Sequence, residues 1–449
     1  DVAADSWRAA GQTLDLLRYT WLTAASSEKH GAVFLVAFGE QRRTYALRYD
    51  PKGPGVEREG APPGTVSWKR PEQKLSLEDA PAPDVQAHAR FLRELPTNRF
   101  VNAEPSGLVV SKTWSTAIAT TDTGEVIYTG GGHSGYSGND IAHYDIAANR
   151  WSLSWPPHFP PFLEGANGSP WGYAYGCRPW SQHTYLWYAY DPVSKMVLYC
   201  ARPTIHDGVE LALDPADPTN TFTYDSDEHR YWAWVYDPAT RTMHPPSFGR
   251  PFPQAWHLAL CTTPEGVYAC HRGVLYKATI NAGKITWAVV DENAPSTAGK
   301  RDYHYEYQPL LYDSKRDRLI HLLGRYGDEA VVEVHTRPLV DGGTWSKLPT
   351  TGHAEIAREV VYLPKQDSIL ALLGREQVYV LDCATNRWRQ LDVELPEGRY
   401  GHECALVYDP VHDVAVALVP SRFSGPLLTL LFRYDPGTAT YRDAPPAGR

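Results

Sequence analysis

Tyr188-Ala189-Tyr190-Asp191-Pro192-Val193-Ser194-Lys195 holds the end of one apolar strand, a turn over Asp191 to Ser194, and the start of the next strand, Lys195 to Ala201. Asp and Pro set such turns because the Asp side chain bonds the backbone two residues on and Pro presets φ. The same Tyr-Asp-Pro signature follows apolar alternating runs at Tyr49-Asp50-Pro51, Tyr236-Asp237-Pro238, Tyr408-Asp409-Pro410 and Tyr434-Asp435-Pro436, with Tyr144-Asp145 and Tyr312-Asp313 as relatives. Recurrence at this spacing marks a repeat architecture.

Two further features recur with it. Several units close on a tryptophan just after a turn, as at Trp151, Trp287, Trp345 and Trp388. Apolar strands stop at glycine, as in Val126-Ile127-Tyr128-Thr129 before Gly130-Gly131-Gly132, Leu319-Ile320-His321-Leu322-Leu323 before Gly324, and Ile369-Leu370-Ala371-Leu372-Leu373 before Gly374. The units fall near residues 20–60, 110–155, 180–246, 255–290, 303–348, 353–391 and 400–441. This pattern resembles the kelch and galactose-oxidase type of propeller, and it predicts an all-β, seven-bladed kelch-like β-propeller spanning residues 1–449. Residues 52–105 match the repeat poorly and read as a Pro-rich irregular insertion, or else as the end of a separate N-terminal module before residue 105. Within them, Asp84 to Leu95 reads as a short surface helix with Asp84 near its start.

Composition agrees with many short strands and many turns: 37 Pro and 35 Gly lie along the whole chain of 449 residues, with 15 Trp and 28 Tyr. No run of 18 apolar residues is present, so no membrane-spanning helix is expected. The formal net charge of −9 supplies no general basic field, which argues against nucleic acid as a partner. Six scattered cysteines are too few for a disulfide framework in a chain this long. An aspartate at position 1 suggests that a secretory leader was removed before this numbering begins, so a secreted or periplasmic protein is expected.

Candidate chemistry sits where the repeat is broken. Gly130-Gly131-Gly132-His133-Ser134-Gly135-Tyr136-Ser137-Gly138-Asn139-Asp140 is a glycine-rich connection carrying an imidazole. It lacks the Lys-Ser/Thr of a phosphate loop. The second break runs from Pro156 to Arg202, a long Pro/Gly/aromatic loop followed by the opening hairpin, whose pairing brings His183 and Tyr185 near Arg202. A phenol, an imidazole and a guanidinium beside aromatics suit an acidic sugar, with the rings stacking and the Arg binding a carboxylate. No Asp/Glu pair of the kind needed for glycoside hydrolysis stands out from the turns.

At these residues the sequence resembles the propeller-fold polysaccharide lyases that act on uronic-acid polymers, the ulvan lyases and the related rhamnose–glucuronate lyases. The resemblance implies β-elimination on an acidic polysaccharide, with His133, Tyr185 and Arg202 as reacting groups and Tyr136, His183, Trp187 and Tyr188 contacting substrate. Where the family carries a second His, this chain has Lys112-Thr113-Trp114. Lys112 or His143 is then expected to substitute. The family's structural zinc implies ligands here, assigned to His206, Cys261, Cys270 and His271, with His257 in reserve because adjacent Cys270 and His271 would face opposite ways on a strand. A propeller glycoside hydrolase and a non-catalytic glycan-binding propeller are the alternatives.

Overall fold

The computed structural model describes residues 84–107, 109, 111–112, 115–131, 138–157, 179, 183–201, 210–214, 217–223, 232–247, 258–296, 308–325, 331–352, 359–373, 377–398, 400, 404–421 and 426–442, and as strands 19–27, 32–39 and 43–48. The chain divides into two compact units: Asp1–Gln73 with Pro161–Asn167, and Lys74–Pro160 with Gly168–Arg449. The first holds a three-stranded antiparallel sheet of Tyr19–Ser27, Ala32–Gly39 and Arg43–Arg48.

The second unit is a six-bladed β-propeller. Blade 1 is Thr116–Ala119, Glu125–Thr129, Ala142–Asp145 and Arg150–Leu153. Blade 2 is Tyr188–Asp191, Met196–Ala201, Trp232–Asp237 and Thr242–Met243, with a hairpin of Glu210–Asp214 and Asp217–Thr223 inserted after its second strand. Blade 3 is Leu258–Thr263, Gly266–His271, Val274–Asn281 and Lys284–Asp291. Blade 4 is Leu310–Asp313, Arg318–Arg325, Val331–Pro338 and Ser346–Leu348. Blade 5 is Glu359–Leu363, Ser368–Leu373, Gln377–Asp382 and Arg387–Leu391, edged by Tyr441–Arg442. Blade 6 is Ala405–Asp409, Val414–Pro420 and Leu427–Phe432, and its outer strand is Val101–Asn102 from before blade 1. First strands of successive blades neighbour one another around the ring, and that of blade 6 neighbours that of blade 1.

Six blades replace the seven that the repeat predicts. The unit at residues 20–60 has the alternation and the Tyr-Asp-Pro ending of a blade, yet among the described residues it forms a separate sheet of three strands. Within the stretch 52–105, the described residues from 84 onward carry regular structure. A helix runs over Val85–Arg93, capped by Asp84, whose Oδ1 accepts from Ala87 N at 2.9 Å. Val101–Asn102 then closes the ring.

The recurrent residues have a common explanation. Tyr144, Tyr312, Tyr362 and Tyr408 each donate a hydroxyl hydrogen bond of 2.7–3.0 Å to the side chain five residues later, on Asn149, Asp317, Asp367 and Asp413. Those four acceptors all have positive φ, between 46° and 56°, which Asn and Asp tolerate better than most residues. The outer-strand tryptophans pack backward onto the preceding blade: Trp151 lies with Val414, Val416 and Leu431 of blade 6, and Trp388 with Ile320 and Val334 of blade 4. Truncating an anchor of this size costs about 3–5 kcal/mol. Asp313, fully buried, joins blades 4 and 5 by accepting from Arg316, Arg318 and Tyr362.

Candidate functional site

The first strand of each blade starts, and the second ends, at one face of the ring. On that face the turn before blade 2 is held by its two neighbouring blades and by a bond of its own. Thr116 N of blade 1 donates to Thr184 Oγ1 at 2.9 Å, Leu260 N of blade 3 donates to Leu186 O at 3.0 Å, and Trp187 N donates to Thr184 O at 2.8 Å. Within this turn the Tyr185 hydroxyl lies 2.7 Å from His183 Nδ1, with the two rings edge to face at 5.3 Å. Tyr185 adopts φ 37°, an uncommon conformation for a bulky residue, and such strain persists only when the surroundings over-determine it. The phenol is thus pinned at both its backbone and its hydroxyl.

The glycine-rich connection leaves blade 1 against this turn. Gly130 has φ 118°, and a Cβ there would come 2.7 Å from Ser115 Cβ and 2.8 Å from Thr184 Oγ1. Only glycine lets the backbone pass this close to the residue between His183 and Tyr185. Blade 2's second strand ends beside the same turn, since Cys200 N donates to Trp187 O at 3.0 Å. Arg202 follows two residues later. His133, Tyr136, Arg202, His206 and His257 lie outside the described residues.

Lys112 and His143, the two expected substitutes for the family's second histidine, are both committed within the protein. The Lys112 ammonium is completely buried and paired with Asp140 Oδ2 at 2.8 Å. Burial holds it below the usual lysine range, and the Asp140 carboxylate offsets part of that effect. It therefore cannot reach a substrate carboxylate. His143 is likewise fully buried between blades 1 and 2: Nδ1 lies 2.8 Å from Glu125 Oε1, and Nε2 lies 2.6 Å from the Tyr236 hydroxyl and 2.8 Å from Ser154 Oγ. That cluster joins blades rather than facing the ring's open side.

Trp187 and Tyr188 are corrected in the same way. Trp187 packs edge to face on Tyr185 inside the core between blades 2 and 3. Tyr188 stacks on Tyr199 at 4.1 Å, and burial pushes its phenol well above its ordinary value. Neither ring offers a surface on which a sugar could stack.

The described members of the zinc set do not converge. Cys261 and Cys270 share one face of blade 3, where they pack with Leu275 and Leu319, whereas His271 pairs with Leu258 and points to the other face. The neighbour of Cys270 Sγ is His321 Nδ1 of blade 4, at 3.7 Å. Burial pushes the Cys270 thiol up to about 12, and Asp291 adds to the effect. Among the described residues, no three His, Cys, Asp or Glu side chains gather to hold a metal ion.

Thr184, Ser115 and Asp140 organise the site but are absent from the sequence-based set. Their residue types are ordinary, and nothing in the sequence pattern marks them.

No family model and no curated protein matches the chain. Among solved structures, it is similar to a chain of the mitotic checkpoint complex at 8% identity and a TM-score of 0.41, over 76% of this chain and 92% of that one.

Proposed function

We propose that the protein is a polysaccharide lyase that cleaves a uronic-acid-containing glycan by β-elimination. The observation that supports the reading is the phenol of Tyr185 held 2.7 Å from His183 Nδ1, beside the glycine connection that leads to His133 and the strand that leads to Arg202. Arg202 neutralises the C5 carboxylate of the uronate, so that negative charge developing at C5 is stabilised. One of His133 and Tyr185 removes the C5 proton, and the C–H electron pair forms the C4=C5 double bond. The C4–O4 bond breaks, and the other group protonates O4. The His183 imidazole can exchange a proton with the Tyr185 hydroxyl, which suits that phenol to either task. Lys112, His143, Trp187 and Tyr188 do not touch the substrate in this mechanism. The reading is tested by incubating the protein with a panel of uronate polymers and following the ultraviolet absorbance of the unsaturated product. Reducing ends without that absorbance would indicate hydrolysis, and binding without either product would indicate a glycan-binding propeller.

A further inference from the structure

Lys112 is the feature that the proposed chemistry leaves unused. A buried ammonium loses its hydration, a cost offset only if every donor is well engaged. Here its partners converge on one place. Nζ donates to Asp140 Oδ2 at 2.8 Å, to Asp140 O at 2.6 Å and to Tyr128 O at 3.5 Å. Tyr128 lies just before the glycine-rich connection and Asp140 just after it. The backbone of Lys112 adds to this, because its N donates to the Tyr128 hydroxyl at 2.8 Å and that hydroxyl donates to Lys112 O at 3.2 Å. Lys112 O also accepts from Ser115 N at 3.0 Å and from Ser115 Oγ, and Ser115 is the residue against which Gly130 is pressed. On the far side, Trp155 Nε1 fixes Asn139 O at 3.1 Å.

We propose that Lys112 is a positioning residue: with Asp140 it ties the strand before the 130–139 connection to the residue after it, and the turnover assigned to His133 depends on that tie. The inference rests on the reading of His133 as a reacting group. An apolar side chain of equal length would fill the same space without tying the strand before the connection to the residue after it. The charge therefore serves register, a role documented for some buried polar groups.

The test compares Lys112→Met, which keeps the length and removes the charge, with Lys112→Arg, which keeps the charge, and with Asp140→Asn, which serves if Lys112→Met fails to fold. Hydrogen exchange read by mass spectrometry is followed in peptides covering residues 129–141 and, as reference, in those covering 191–199. Exchange in the first set is expected to rise about tenfold or more in Lys112→Met and Asp140→Asn, with the reference set unchanged. On a cleaved uronate polymer, kcat is expected to fall about tenfold or more with KM within about twofold, and Lys112→Arg is expected to recover part of it. Uniform exchange across both peptide sets, unchanged exchange, or locally raised exchange with an unaltered kcat would overturn the proposal. If the parent protein cleaves no such polymer yet the local exchange rises as expected, the clamp stands and the lyase reading fails.

Discussion

The hydroxyl of Tyr185 lies 2.7 Å from Nδ1 of His183, two residues earlier, in a turn that blades 1 and 3 hold in place. A proton-transfer group so placed should be separable from its packing. Tyr185→Phe keeps the ring against Trp187 and removes only the hydroxyl. On a uronate polymer its kcat is expected to fall about 10²–10⁴-fold, the usual contribution of a positioned acid or base, with KM and thermal stability little changed. A near-normal kcat would remove the phenol from the chemistry.

Arg202 should behave differently from a simple binding residue. Arg202→Ala is expected to lower kcat about 10²–10³-fold while KM changes less, because the lost interaction belongs to the transition state. Arg202→Lys should recover little of this, since a flexible ammonium does not reproduce the planar two-donor fork. A raised KM with kcat intact would assign Arg202 to substrate holding.

Gly130→Ala tests the close approach of the two blades. The added methyl would sit 2.7 Å from Ser115 Cβ at a φ of 118°. The substitution is expected to cost about 1–3 kcal/mol, read from denaturant midpoints at unchanged m. Gly124→Ala, at φ 71° and facing the His412 ring on the opposite face of the ring, is expected to destabilise without altering kinetics. Loss of stability with full activity in Gly130→Ala would detach that glycine from the site.

His321 sets an acid limit on stability. Burial, with His335 beside it, lowers its pKa from 6.5 to about 3. Between those values the unfolded chain takes up a proton that the folded one does not, so stability is complete above pH 6.5 and falls as the pH drops toward 3. The loss attributable to this residue is up to about 1.4 kcal/mol per pH unit in that window. Urea midpoints should therefore fall less steeply from pH 7 through 5.5 to 4.5 in His321→Gln than in the parent. Parallel pH profiles would show that another group governs the acid limb.

Much of the fold was legible because its signals are local. A tyrosine bonded to an Asn or Asp five residues later leaves a fixed mark on the chain, and Asp84 marks its helix by capping it. The blade count was not legible. The run ending at Tyr49-Asp50-Pro51 has a blade's local pattern, yet its three strands form a sheet of their own in the other unit. Val101–Asn102 is only two residues long, too short to show any period. The site divides along the same line. The strand pattern puts His183 and Tyr185 at the start of a strand pairing toward Arg202; they lie instead in the turn before that strand, where the Tyr185 hydroxyl meets His183 Nδ1. Lys112 and His143 are named only from their place relative to the glycine turn, and position along the chain does not show that both side chains are buried against partners of the protein itself.

The closing strand also orders events in time. Asp140 stands 28 positions from Lys112, and Thr184 stands 68 positions from Thr116, whereas Val101 waits for Leu431 at the far end of the chain. Short-range contacts lose less entropy on closure and form sooner. During synthesis, blade 1 and its lysine clamp can be complete, and blade 2 docked beside them, long before the last strand of blade 6 leaves the ribosome. The ring seals last, around a site already built.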